Sequence, residues 1–234
     1  MKIISTIKEL GINPDSRTLV FMPHPDDEAV FCSGLLKNLT TNKIPVKLIT
    51  LTSGEKSTLI FGLEPGEDLA ATRRIEQKNS CEILGINDFE VLDIPDGGLK
   101  TKEKEVKEII SEQINLYKPT QVITLEPDGI YGHPDHIGLS KFVTEVVTSP
   151  IKLLYVTVPV FKKKRSVSKI SEKSEINPIP PEYKLKLKNT ETEAKIASLR
   201  AHRTQFGDFD INSEVFGFFQ ATKLLKYEYF TYRK

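Results

Sequence analysis

The sequence has no tryptophan and is poor in cysteine, methionine and histidine, with two, two and four residues of these types in 234. Its two cysteines, Cys32 and Cys81, are too few for a disulfide framework. Both lie in stretches typical of helices, where we expect buried free thiols. The formal net charge is only +1, so no overall field favours nucleic acid or membrane surfaces.

Long apolar runs are also missing. No segment approaches the roughly 20 apolar residues of a membrane span, and residues 1–10 carry charges where a secretory signal would be apolar. We therefore expect a cytoplasmic protein with no membrane span. Apolar residues make up 38% and charged residues 28%, a composition typical of a globular chain, and the length suits one domain over residues 1–234.

Apolar runs and amphipathic stretches alternate along the chain. The runs predict strands at 18–22, 46–51, 89–92, 121–125 and 153–158. The amphipathic stretches predict helices at 26–39, 68–84, 102–117, 134–147 and 190–202. This alternation predicts an α/β fold, a Rossmann-like doubly wound, mostly parallel sheet with strand order 3-2-1-4-5 and helices on both faces.

The pattern weakens after residue 160, which predicts a small C-terminal extension. It contains a basic run at 162–165 and a proline-rich segment at 177–181. Alternating apolar and lysine residues at 183–187 predict an exposed or edge strand. Core packing or the subunit interface of a homo-oligomer would explain the aromatic residues near the end of the chain, Phe206, Phe209, Phe216, Phe218 and Phe219.

Ionisable residues crowd the end of the first predicted strand, in Pro-His-Pro-Asp-Asp-Glu at 23–28. One interpretation is purely structural, a turn and a helix whose acidic first turn suits the helix dipole. The functional interpretation is that His24 and Asp27, three residues apart across a strand-to-helix turn, converge on one ion. Asp26 would then be free to act as general base.

A second cluster follows the fourth predicted strand and ends in Gly-His-Pro-Asp-His at 132–136. In the predicted order, strands one and four are neighbours at the point where the winding reverses, the usual ligand crevice of such sheets. Two imidazoles and one carboxylate from these clusters would form a three-ligand zinc site with an open position for water. Iron or cobalt fits the same donors. Asp135 is placed to orient a histidine.

These two motifs resemble those of the LmbE-like, or PIG-L, family of zinc-dependent N-deacetylases. The resemblance implies one zinc ion per chain on His24, Asp27 and His136. It also implies Asp26 as the base that activates the metal-bound water, and His133 as oxyanion stabiliser or acid. Tyr131 matches an assisting tyrosine of the family.

The resemblance covers about residues 17–206. It implies that Arg73, in the helix at 69–76, and Asp96, in Asp-Gly-Gly-Leu at 96–99, bind substrate. Residues 201–205 resemble the family's C-terminal helix motif. The implied substrate is a small N-acetylated sugar of the N-acetylglucosamine type, from which acetate is released. Without the resemblance, Arg73 would suit a solvated helix charge and Asp96 a turn cap.

Other functions compete with the deacetylase. His24 and Asp26 have the His-x-Asp spacing of a non-haem iron oxygenase. A non-catalytic sugar- or metal-binding protein on the same fold is a second alternative, although a binder would not need Asp26 and His133. A nucleic-acid-binding protein, the third, depends on the basic run alone.

We expect no binding to mixed DNA and RNA, because the basic run at 162–165 has no interleaved aromatic residues. A binding assay titrated with salt checks this expectation. Affinity that falls steeply as the salt concentration rises would instead support a nucleic-acid function.

Overall fold

A mixed β-sheet of eight strands organises this computed structural model, which describes residues 1–159, 176–207, 217, 219–220 and 222–234. The strands are Lys2–Ile4 (β1), Thr18–Met22 (β2), Val46–Thr50 (β3), Asp88–Val91 (β4), Gln121–Leu125 (β5), Lys152–Thr157 (β6), Tyr183–Lys186 (β7) and Tyr227–Tyr232 (β8). The helices are Asp27–Phe31 (α1), Ser33–Thr41 (α2), Leu69–Leu84 (α3), Glu103–Tyr117 (α4), Gly129–Gly132 (α5), Pro134–Val146 (α6), Asn189–Ala201 (α7) and Arg203–Phe206 (α8). Ile7–Leu10 and Leu99–Lys102 form short 3-10 helices.

The strands lie in the order β1-β7-β8-β6-β5-β2-β3-β4. Within it, β4, β3, β2, β5 and β6 pair in parallel, and β8 runs antiparallel to both β6 and β7. The predicted fold class, an α/β protein with a mostly parallel sheet, is confirmed. The sequence did not predict β1 and β8.

Alternate strand residues point into two separate hydrophobic cores, one on each face of the sheet. In β2, Val20 and Met22 belong to the core under α1, α2, α3 and α7, whereas Leu19 and Phe21 belong to the core under α4 and α6. All four are fully buried, and burying each contributes roughly 1.5–3 kcal/mol. Cys32 and Cys81 are buried and free, as predicted.

The helix predicted at 26–39 is wrong in one respect, because the structure divides it at Cys32, whose φ is −145°. The break exposes the first amides of α2 to a carboxylate from the other end of the chain. Glu228 accepts hydrogen bonds from the amides of Gly34 and Leu35, both at 2.8 Å. The fully buried Lys195 ammonium lies 2.7 Å from the same carboxylate.

The exposed or edge strand predicted around 183–187 is also wrong. β7 lies between β1 and β8, and Leu185 is fully buried. Alternation with lysine marks one buried and one polar face, but it does not report whether the backbone is paired on one side or both. On the polar face, the Lys184 ammonium lies 3.8 Å from the centre of the Tyr227 ring.

The basic run at 162–165 and the residues Phe209, Phe216 and Phe218 lie outside the described residues. Within the described part of the chain, no helix has both the length and the apolar character needed to cross a membrane.

Glu228→Ala should lower the free energy of unfolding by about 3–5 kcal/mol, since it leaves the Lys195 ammonium buried without its partner and removes the cap of α2. Urea denaturation followed by circular dichroism measures the change. Glu182→Ala is the control, because Glu182 forms a surface pair with Lys234 at 3.6 Å and such pairs contribute about 0–1 kcal/mol. Equal losses in the two variants would contradict the assignment.

Candidate metal centre

The site lies where the carboxyl ends of β2 and β5 meet. These strands pair in parallel, with Thr18 opposite Gln121 and Val20 opposite Ile123, so the segments that follow them emerge at the same edge of the sheet. The first segment contains His24 and the second His136. The loops after β3 and β4 end at the same edge. The structure thus brings together the two motifs that are separated in the sequence.

Asp27 lies between two imidazoles. Its Oδ2 atom is 3.4 Å from His24 Nδ1 and 3.4 Å from His136 Nε2. Both distances exceed the usual range of a hydrogen bond to nitrogen. They match the separation of about 3.4 Å between two ligand atoms of a tetrahedral zinc ion with ligands at about 2.0–2.2 Å. Two imidazole nitrogens and one carboxylate oxygen are donors that zinc takes in proteins, so the chemistry of this set fits the ion.

The other nitrogen of His24 faces two more carboxylates. His24 Nε2 is 3.2 Å from Asp96 Oδ1 and 3.4 Å from Asp135 Oδ2. Neither contact has the geometry of a hydrogen bond, but both carboxylates would attract a proton on Nε2, which would leave Nδ1 unprotonated, as a metal ligand must be. Asp135 also accepts the amides of Gly97 at 2.7 Å and Leu99 at 3.2 Å, which fixes its carboxylate beside His24.

Further donors surround this trio. Ligand atoms of His24, His133 and His136 lie within 4.8 Å of one another, and so do those of His24, Asp96 and Asp135. Asp96, which the resemblance assigned to substrate, is thus directly in contact with His24, and its Oδ2 accepts the Lys56 amide at 3.0 Å.

The electrostatics of these groups suit a cation. Burial would raise the pKa of Asp27, but the neighbouring His136 and His24 lower it to about 2. The pKa of His136 falls to about 3, chiefly because burial disfavours its charged form. Burial acts in the same way on His24, but contacts with carboxylates, Asp135 first, raise its pKa well above the ordinary value. A divalent ion would supply the positive charge that these carboxylates attract.

Asp26 occupies an unusual backbone conformation at the start of α1. Its φ of 114° lies in the left-handed region that favours glycine. Residues other than glycine that adopt this strained backbone are concentrated at functional sites. Its Oδ2 atom lies 3.1 Å from Arg73 Nη2. Burial raises the pKa of Asp26 to about 7, although the Arg73 charge opposes this shift.

Arg73 is buried, with 3% of its surface exposed, which excludes a solvated helix charge. Besides Asp26, it donates to the carbonyl of Gly54 at 2.7 Å and to that of Pro25. Gly54 has a φ of 67°, and a Cβ atom there would lie 1.9 Å from Arg73 Nη1. Glycine is therefore required for the arginine to reach this position. In this structure Arg73 orients Asp26 and the loop after β3.

Tyr131 and His133 complete the site. Tyr131 Oη is 3.4 Å from His136 Nε2, and the His133 ring centre is 4.7 Å from that of His24. His133 caps α6, since its Nδ1 accepts the Asp135 amide at 3.2 Å. In the neutral imidazole the proton must then lie on Nε2. Burial, assisted by His24, lowers the pKa of His133 and favours this neutral form.

The sequence did not single out Glu126 as part of the site, and it favoured Glu28 as an acid of the first helical turn that supports the site by hydrogen bonding. Glu126, directly after β5, is fully buried and accepts the Ile130 amide at 2.6 Å, in a turn where Ile130 has a φ of 67°. Glu28 is fully buried against His202, with 2.8 Å between Oε1 and Nε2. For His202 the sequence offered one signal, the C-terminal helix motif at 201–205. That motif was equally consistent with a place at the site and with a position on the helix surface.

The chain is thus an α/β protein with a cluster of histidines and aspartates that could hold a metal ion. The family model described as "PIG-L: GlcNAc-PI de-N-acetylase" matches residues 19–147. A diacetylchitobiose deacetylase of Thermococcus kodakarensis is 30% identical over 201 residues, covering 83% of this chain and 72% of that protein. The chain belongs to the PIG-L family, as the resemblance implied, and is a deacetylase, a hydrolase acting on amide bonds.

Other comparisons agree with this assignment. A probable N-acetyl-alpha-D-glucosaminyl L-malate deacetylase 2 of Bacillus subtilis is 30% identical over 195 residues, covering 80% of this chain and 82% of that protein. The solved structure of N,N'-diacetylchitobiose deacetylase from Pyrococcus horikoshii has a TM-score of 0.71 at 20% identity, covering 97% of this chain and 89% of that one. At this identity the structural likeness supports the fold alone.

His136→Ala should lose the bound metal, because it removes one of the three converging donors. Metal analysis after gel filtration, with zinc added back, measures this loss. Arg74→Ala on the neighbouring helix is the control and should keep a full complement of metal, since Arg74 binds the exposed Asp93. An unchanged metal content in His136→Ala would refute the ligand assignment.

Proposed function

We propose that this chain is a zinc-dependent N-deacetylase that removes the acetyl group from an N-acetylglucosamine-type sugar or a related acetylated amine. The observation that carries the proposal is the position of Asp27, 3.4 Å from both His24 and His136, with Asp26 and His133 beside it. The relatives named as a diacetylchitobiose deacetylase and a probable N-acetyl-alpha-D-glucosaminyl L-malate deacetylase support the substrate class.

In this proposal His24 Nδ1, Asp27 Oδ2 and His136 Nε2 would hold one zinc ion per chain. Zinc bound there polarises a carbonyl group and lowers the pKa of a water molecule to about 7. The charges of Asp135 and Asp96, which face His24 Nε2 at 3.4 and 3.2 Å, would favour a proton on that nitrogen.

Asp26 is the proposed general base. Its carboxylate accepts the proton of the attacking water, whose oxygen adds to the acetyl carbonyl carbon. Arg73 holds Oδ2 in place, so the carboxylate keeps one orientation as it gains the proton. Release of the amine breaks the C–N bond and yields acetate, and the proton taken from water leaves on the amine.

His133 acts opposite this base. Because Nδ1 is occupied by the Asp135 amide, the proton on Nε2 is available to stabilise the oxyanion by hydrogen bonding, or to protonate the leaving amine. The Tyr131 hydroxyl, which lies near His136, provides a second hydrogen-bond donor. We place the sugar next to Asp96 and Arg73, within a single catalytic domain over residues 1–234.

The iron oxygenase is the weaker alternative for this site. It would use His24 and Asp26 as ligands, but Asp26 Oδ2 is paired with Arg73, while Asp27 lies between the imidazoles. The chemistry is also typical of all-β jelly rolls, not of an α/β sheet.

Asp26→Ala should keep zinc while kcat falls by at least about 10²-fold, the usual contribution of a general base. Metal analysis and acetate release measure the two effects. Asp93→Ala is the matched control, because Asp93 pairs with Arg74 at 2.6 Å but is 95% exposed, and its kcat should be unchanged. Retained activity in Asp26→Ala would remove this residue from the role.

Metal analysis of the purified protein, combined with acetate release from a panel of N-acetylglucosamine derivatives, tests the whole proposal. We expect about one zinc per chain and acetate release that a chelator abolishes. Bound iron without acetate release would favour the oxygenase. A chain that binds no metal even after zinc is added would overturn the proposal.

A further inference from the structure

The buried carboxylate of Glu28 is bound to the backbone of Asp26. Glu28 Oε2 accepts the Asp26 amide at 3.1 Å. Its other oxygen, Oε1, is 2.8 Å from His202 Nε2 and accepts the Ser80 hydroxyl at 2.7 Å. The Ser80 oxygen in turn lies 2.7 Å from the Ser198 hydroxyl. The carboxylate is thereby held from α3 and from the end of α7.

Asp26 needs this support. Its left-handed backbone, with φ at 114°, is disfavoured for a residue that carries a Cβ atom, and it sets the direction in which the carboxylate leaves the chain. Arg73 fixes the far end of the side chain, and Glu28 fixes the amide. If the amide were released, relaxation of φ would swing the carboxylate away.

A structural role alone is a poor explanation for this pair. Glu28 and His202 are fully buried, and a buried ion pair contributes less to stability than well-packed apolar side chains of similar size. A hydrophobic contact between α1 and the end of α7 would join these helices equally well. Apolar side chains, however, would leave the Asp26 amide without an acceptor.

We propose that Glu28 and His202 are positioning residues that hold the backbone of Asp26 in its left-handed conformation, so that the C-terminal helices complete the catalytic site. The inference rests on the proposed function of Asp26 as general base. His202 acts by donating its Nε2 proton to Glu28, which keeps Oε2 directed at the Asp26 amide.

Substitution of His202 provides the direct test. His202→Leu removes the donor and should lower kcat by about 10-fold to 10²-fold, the scale expected when a catalytic group is displaced by about 1 Å, with KM and zinc content unchanged. His202→Gln retains an N–H donor and should restore kcat to within about threefold. Equal kcat values for His202→Leu and the natural protein would overturn the proposal.

Lys195→Met is the matched control. It also leaves one partner of a fully buried ion pair alone, here Glu228, but that pair caps α2 and does not bind Asp26. Its thermal stability should fall while kcat is preserved. If both Lys195→Met and His202→Leu lost kcat in proportion to stability, the effect would be structural and the proposal wrong.

Two further measurements keep the test decisive. If His202→Leu does not fold, Ser80→Ala removes the other donor to Glu28 Oε1 and should lower kcat by about threefold to 10-fold; an unchanged kcat would overturn the proposal. A crystal structure of the folded variant should show that φ of Asp26 has left the left-handed region, and an unaltered conformation would contradict the proposal. The conformation of Asp26 can be measured without any activity. A natural protein that releases no acetate would therefore refute the proposed function but leave the positioning of Asp26 by Glu28 testable.

Discussion

The parallel pairing of β2 with β5 is the constraint on which the rest of the site depends. It sets His24 and Asp27 opposite His136, although the two motifs follow different strands. A shift of one residue along β5 would move the second segment by about 3.3 Å, as large as the 3.4 Å separation of the donor atoms. The register is protected because Val122 and Ile123 belong to cores on opposite faces, and a shift would exchange them.

The second constraint is the charge collected at that edge. Asp26, Asp27, Asp96 and Asp135 lie within one crevice, and like charges so close together must each be compensated. The Arg73 guanidinium forms an ion pair with Asp26, while backbone amides donate hydrogen bonds to Asp135 and Asp96. Apart from the His24 amide at 3.1 Å, Asp27 has two imidazoles as its described partners. In the proposed mechanism Asp27 therefore shares the divalent ion and Asp26 accepts the proton.

The C-terminal part of the chain is built into both the core and the site. β8 enters the sheet between β6 and β7, and its Glu228 reaches the start of α2 from 194 residues away. His202, at the end of α7, pairs with Glu28 in α1. The sequence predicted only a small C-terminal extension, whereas without β8 and the end of α7 the helix α2 would lack its cap and Glu28 would lack His202.

The sequence by itself determined most of the local elements and the two motifs that converge. Continuous apolar runs located five of the strands, amphipathic stretches located helices such as α3, and the motifs at 23–28 and 132–136 contained the converging residues. Only the tertiary structure decided the break at Cys32, the interior place of β7, the pairing of Arg73 with Asp26 and the burial of His202. Propensity and periodicity report interactions over a few residues, whereas each of these features depends on a partner that folding brings from far along the chain.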